Sequence, residues 1–216
     1  MKLLIFLLEL LALLAGLLAW KRSRPAAIRT ITLLMIFTVS VECYGQFFKT
    51  APYPSYTMLV YNIFSFIEMS CWFYFFYQLY TTPVRRKIIL FLGICYLAFA
   101  FVELFTYHNW RYTFHTDSYR LYSLCIIFLS VLYLWDLILR KEFHPLNKDG
   151  VFWLCAGALI FQSVFFVHLT VLNIPSFHKD MASIRAFNQL LDIANVLYYS
   201  LICVAYYTSW RLTSLV

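Results

Sequence analysis

Charge is scarce in this chain. Asp, Glu, Lys and Arg together make up 12% of its 216 residues, against about 25% in an ordinary globular domain, so a fold solvated over its whole surface is excluded. No CxxC occurs, and the six cysteines (Cys43, Cys71, Cys95, Cys125, Cys155 and Cys203) fall singly inside apolar runs. Neither a disulfide framework nor a zinc site is expected from them, and each thiol reads as a small buried hydrophobe. Familiar catalytic motifs are missing too: there is no GxSxG elbow, no HExxH helix and no HxxxH pair, so none of the hydrolase classes built on them applies. The last apolar run has no lysine for a retinal Schiff base, and the Lys148-Asp149-Gly150 turn lacks the further aspartates of phosphatidyl-alcohol transferases. Internal repeats are absent, and the one biased stretch is the Leu-rich start.

What the chain has in their place is apolar mass, 63% of residues, with 21% aromatic. It is arranged in seven runs, about 3–20, 26–46, 57–80, 88–106, 120–140, 151–172 and 187–209, each near the ~20 residues a helix needs to cross a bilayer. The fold class expected is therefore all-α, a polytopic membrane protein whose residues 1–216 form a single seven-transmembrane-helix domain. The first run is expected to stay in place and not to be cleaved as a signal peptide, because Glu9 interrupts it and no small-x-small site precedes Lys21.

Seventeen basic residues against ten acidic ones could suggest a nucleic-acid partner in a soluble protein. Here the basic residues mostly occupy short connections, where they set topology and touch lipid headgroups; no nucleic acid is expected. Placing the N-terminus outside puts 11 Lys and Arg on the cytoplasmic side, among them Lys21, Arg22, Arg24, Arg85, Arg86 and Lys87, and leaves 6 outside. The bias predicts an N-terminus outside and a cytoplasmic C-terminus. The outer connections, 45–56, 106–120 and 173–187, are rich in aromatics, Pro, Asn and His; they read as an interfacial belt, or as a mouth over the helices, with Ser176 or Asp180 capping a short helix before the last span.

The informative residues are the acids within the spans. Glu68 stands at the middle of the third run, where a charge costs at least ~2.5 kcal/mol on insertion scales, so it must face other helices, carry a proton or meet a partner. Asn62, Ser65 and Glu68 follow at steps of three and Trp72 four further on, which puts them on one face that should point inward. Helix 7 repeats the pattern with Asn188, Asp192, Asn195, Tyr199, Cys203 and Tyr206. In the expected orientation Glu9, Glu42, Glu103 and Asp192 fall in the outer halves of their helices, which predicts a carboxylate-lined cavity opening outward. The candidate ligand-binding residues are Glu42, Asn62, Glu68, Glu103, His168, Asp192 and Asn195. No two of the acids or His168 share the i,i+3 or i,i+4 spacing of a persuasive ligand pair, so no metal and no cofactor is assigned. The plainer alternative for the Asn and Tyr residues is interhelical hydrogen bonding, worth ~0.6 kcal/mol each. Asp136 is expected to pair with Arg140, and Gly157 to allow close helix contact.

YNIFSFIEMSCWFYFFYQL in helix 3 and FWLCAGALIFQSVFFVHL in helix 6 resemble the corresponding stretches of small, uncharacterised seven-helix bacterial inner-membrane proteins, in which a central Glu in helix 3 and an FW-x-x-x-G opening of helix 6 recur. The resemblance implies a multi-pass protein of the inner membrane and singles out Glu68, Trp153 and Gly157; it carries no activity.

Three functions fit these residues. The first is a sensor or binding module that takes a small polar or cationic ligand and signals through a cytoplasmic partner or a second copy of the chain. The second is a membrane-embedded enzyme on a lipid, with Glu68 or Asp192 as general base. The third is a proton- or cation-coupled carrier.

Overall fold

A computed structural model describes residues 1–20, 26–48, 55–106, 114–139, 146–172 and 181–214. Within them the chain is helical: α1 (Lys2–Ala19), α2 (Ala26–Phe48), α3 (Ser55–Leu79), α4 (Pro83–Thr106), α5 (Thr116–Leu139), a short 3-10 turn (Leu146–Lys148), α6 (Gly150–Leu172) and α7 (Met181–Ser214). All seven α-helices are long and apolar enough to cross a membrane, which makes this a multi-pass membrane protein by length and composition. Large apolar side chains such as Leu18, Phe91, Phe105, Phe128 and Ile138 are exposed along them, as suits helices whose solvent is lipid.

Helix starts follow local chemistry. α4 begins five residues before the apolar run, at Pro83, because proline suits the first helical position, where its missing N–H is no loss. α6 is capped by Asp149, whose Oδ1 accepts from the Val151 and Phe152 amides at 2.8 and 3.4 Å. Tyr133 of α5 donates to the other oxygen of Asp149 at 3.1 Å, and the Trp153 indole donates to the Asn147 carbonyl at 3.1 Å. α5 begins at Thr116, ahead of the apolar run that starts near 120, for a reason that lies in the site. Scattered hydroxyls do not disturb the helices: Thr38, Ser40, Ser70, Thr106, Thr170 and Ser200 each donate to the carbonyl four residues back, which satisfies them without a partner helix.

The chain divides into two compact units, 1–24 with 123–216 and 25–122, so α5 passes from one to the other after Tyr122. In the first unit α7 packs against α6 and α1. The buried face of α1 is Glu9, Ala12, Gly16 and Ala19, mostly small residues that permit close approach. Gly157 does the same on α6: a Cβ there would stand 3.3 Å from Leu201 Cβ and 3.5 Å from the Tyr198 ring. One turn on, Phe161 stacks on Tyr198 with centroids 4.9 Å apart. In the second unit α3 packs against α2 and α4, with Phe73 lying over Gly93 at 3.6 Å from where its Cβ would be.

The basic cluster Lys21–Arg24, Arg140 as partner of Asp136, Ser176 and Asp180 lie outside the described residues, as does most of the three aromatic connections.

Candidate functional site at the head of α3, α4 and α5

The polar face of α3 is buried. Asn62, Ser65 and Glu68 are 2%, 1% and 8% exposed, and Trp72 is fully covered. Each of the three polar residues meets the entry to α5. The Oδ1 of Asn62 accepts from the His115 backbone N–H at 3.4 Å, Ser65 Oγ lies 2.7 Å from His115 Nε2, and Tyr119 donates its hydroxyl to Glu68 Oε2 at 2.7 Å. Two rungs thus join the helices, Ser65–His115 and Glu68–Tyr119, one turn apart on each side.

The Ser65 rung favours the tautomer of His115 with its proton on Nε2. With the Ser65 hydroxyl proton on the Asn62 carbonyl at 2.7 Å, Ser65 accepts at the imidazole and Nε2–H is the donor. The ring is fixed by Phe114, stacked at 5.0 Å, and by Phe66 at 5.3 Å. His115 lies just before the spanning part of α5, and its burial holds the imidazole below its ordinary pKa while the nearby Glu103 carboxylate works in the opposite direction.

Glu103 explains why α5 starts where it does. From α4 its two oxygens accept the amides of Asp117 and Ser118 at 3.1 and 2.6 Å, the second and third residues of the helix. Such amides have no intrahelical acceptor, and a carboxylate there also meets the positive end of the helix dipole. Glu103 therefore acts as a cap supplied by a neighbouring helix. Asp117 forms an ion pair with Arg120.

Below this level the buried side of α3 becomes aromatic. Met69, Trp72, Phe75 and Phe76 are fully covered, and Phe73, Tyr96 and Tyr122 pack ring to ring at 6.2–6.5 Å. The Trp72 indole N–H is fully buried without a hydrogen bond among the described residues, and the Tyr96 hydroxyl has Ser118 as its hydrogen-bond neighbour, within electrostatic reach of Glu103 and Glu68.

Of the seven sequence-derived candidates, three belong to this cluster: Asn62, Glu68 and Glu103. Glu42 is elsewhere on the same unit, accepting from Tyr61 at 3.4 Å. His168, Asp192 and Asn195 are in the first unit. Asn195 turns its amide back to the Leu191 carbonyl at 3.0 Å, and His168 lies stacked along Phe165 with Nδ1 unpartnered among the described residues. On α7 the buried residues are Ala194, Tyr198, Tyr199, Ile202, Ala205, Tyr206 and Ser209, so Tyr199 and Tyr206 of the expected stripe are covered. Asn188 is exposed, and Asp192 and Asn195 are half-buried beside them. Hydropathy missed His115, Ser118 and Tyr119, because it assigned 106–120 to a loop. The sequence His-Thr-Asp-Ser at 115–118 is a helix-start pattern that would have moved the boundary.

Among the described residues no group of three or more His, Cys, Asp and Glu is placed to hold a metal ion. No protein-family model, curated protein or solved structure matches the chain.

Proposed function

We propose that this chain is a membrane sensor or binding module and that the α3–α4–α5 head takes a small polar or cationic ligand. The observation that carries this reading is the state of Glu68: a carboxylate 8% exposed whose one hydrogen-bond donor among the described residues is the neutral hydroxyl of Tyr119. A structural carboxylate at this depth would be expected to have its charge answered, as Glu103 has with two amides. The reading further places the N-terminus outside and the C-terminus in the cytoplasm of a bacterial inner membrane, with membrane lipids around it and a cytoplasmic signalling partner or a second copy to receive the signal. In support, Arg85 and Arg86 at the α3–α4 turn lie over the rings of Tyr80 and Tyr77 at 5.1 and 4.9 Å, the aromatic and basic pairing of a cytoplasmic membrane boundary.

The aromatic floor favours binding over transport: on the buried side of α3 Glu68 is followed by Met69, Trp72, Phe75 and Phe76, none of them ionisable. The Ser65–His115 contact favours a lipid-cleaving enzyme as the second reading. It ranks lower because the serine proton is committed to the Asn62 carbonyl, and a nucleophile must hand its proton to the base. The test is a thermal-shift screen of the purified chain in lipid nanodiscs with small polar and cationic solutes, run in parallel on Glu68→Gln. A shift present in the parent and lost in the variant is expected; identical profiles for both overturn the proposal.

A further inference from the structure

At the opposite end of α3 from the Glu68 cluster, where α4 begins, the chain presents a second and independent surface. We infer that Arg86, with Arg85 beside it, holds the phosphate of an anionic phospholipid in preference to a zwitterionic one, with an acyl chain of that lipid lying along the outer face of α4.

Arg86 is held from two sides. Its Nε donates to the Tyr80 carbonyl at 2.6 Å, and its guanidinium carbon stands 4.9 Å from the centre of the Tyr77 ring. Arg85 lies over the ring of Tyr80 itself, at 5.1 Å. Tyr77 and Tyr80 are three positions apart and share one side of α3, so the two guanidiniums are brought to one place. An arginine loses rotamer freedom when it grips an anion, and part of that loss is already met here by the seat on α3. The bond from Nε leaves the two Nη groups of Arg86 without a hydrogen bond among the described residues. Such a pair is the fork that grips a phosphate at two oxygens.

The surroundings set the sign of the partner. The acids of residues 25–122 are Glu42, Glu68, Glu103 and Asp117. At 1.5 Å per helical residue, Glu68 is about 18 Å along α3 from Tyr80, Glu42 about 20 Å along α2 from Arg29, and Glu103 about 25 Å along α4 from Arg86. Asp117 is beside Glu103. Exposed charges are screened over about 8–10 Å, so no carboxylate of this unit answers the two arginines. Arg29 is exposed and adds to the same end, because its neighbour Thr30 accepts the Gln78 amide of α3 at 3.3 Å.

The outer face of α4 makes that partner a lipid. Val84, Ile88 and Phe91 follow at steps of four and three from the turn that carries the arginines, on one face of the helix, and all three are exposed. A fixed positive fork with an apolar line running away from it along the span matches the two halves of a phospholipid, and an anionic headgroup is what basic residues at a membrane boundary attract. A free anion or an acidic protein segment meets the charge and leaves the apolar line bare.

The full chain is purified in a non-ionic detergent, and its unfolding temperature is followed at equal ionic strength with short-chain phosphatidylglycerol, short-chain phosphatidylethanolamine, inorganic phosphate or a polyglutamate peptide. Phosphatidylglycerol is expected to give a saturable rise of several degrees, and phosphatidylethanolamine less than a third of it. Arg86→Lys keeps the charge and loses the fork, so the rise should fall by half or more. Tyr77→Leu removes the ring under Arg86 with every charge in place and should weaken the response in the same way, which keeps the test open if Arg86→Lys does not fold. Lys87→Gln is the control: it removes a charge one residue on, from an exposed side chain with no ring or hydrogen-bond seat among the described residues, and should retain most of the rise. A full response in both Arg86→Lys and Tyr77→Leu overturns the site, since charge count alone would then draw the lipid. Equal rises from the two phospholipids overturn the headgroup preference. A rise from inorganic phosphate as large as that from phosphatidylglycerol overturns the lipid in favour of a free anion, and a larger one from polyglutamate overturns it in favour of an acidic protein segment. Each of these failures leaves the reading of the Glu68 cluster untouched.

Discussion

The two buried carboxylates of the second unit should respond oppositely to loss of charge, and this contrast separates the cap from the site. In Glu103→Ala the Asp117 and Ser118 amides lose their acceptor. Loss of a cap costs about 1 kcal/mol, removal of a carboxylate from a partly buried helix N-terminus up to about 2 kcal/mol, and an unsatisfied buried donor such as the Ser118 N–H about 1–3 kcal/mol. These terms overlap, and about 3 kcal/mol is a fair total. At roughly 2–4 °C per kcal/mol for a chain of this size, that is a fall of about 6–12 °C in unfolding temperature. Glu103→Gln keeps one acceptor oxygen and should lose about half as much. Glu68→Gln keeps an oxygen for the Tyr119 hydroxyl and removes a charge that no cation answers, so its stability should lie within about 1 kcal/mol of the parent, or above it. The assay is thermal unfolding of the three variants in the same detergent, with helicity followed by circular dichroism. The reasoning is refuted if Glu68→Gln loses as much stability as Glu103→Ala, or if Glu103→Gln loses none.

Three further outcomes are expected. His115 has a folded pKa below the unfolded value of about 6.5, so the unfolded chain binds the extra proton first; stability should fall as pH drops below that value, by at most ~1.4 kcal/mol per pH unit. Denaturation between pH 7 and 5 should show a shallower dependence in His115→Gln, and an unchanged one would count against the buried imidazole. Gly157→Leu forces a side chain onto Leu201 and Tyr198 and should cost about 1–3 kcal/mol, partly recovered in combination with Leu201→Ala; full stability of the single variant would mean that α6 and α7 are not in close contact there. Asp149→Ala removes the α6 cap and should cost about 1 kcal/mol, with Tyr133→Phe costing less because it leaves the cap in place; equal losses in unfolding free energy would contradict that order.

Glu103 shows the limit of reading acids by depth. Its place in the outer half of a span made it a cavity residue by the same argument that selected Glu68, yet it spends both oxygens on the backbone of the next helix. The helix 3 stripe was legible because a step of three or four residues is a local property, and all four of its members are buried. The helix 7 stripe has equal periodicity, but its first members are at the margin of the covered line, since periodicity defines a face and says nothing of what the face meets. His115 was passed over for the reverse reason: its neighbours are aromatic and polar, and only its contact with Ser65, 50 positions earlier, makes it part of a site.

By itself the sequence determined the solvent of this protein, the number of its spans and the polar side of α3. Those follow from hydropathy and helical repeat, which act over a few turns of one segment. The tertiary structure decided which carboxylate is a cap and which meets a phenol, and that His115 lies against Ser65. Those depend on how each helix is rotated and shifted against the next, and that is fixed by packing between residues far apart in the chain.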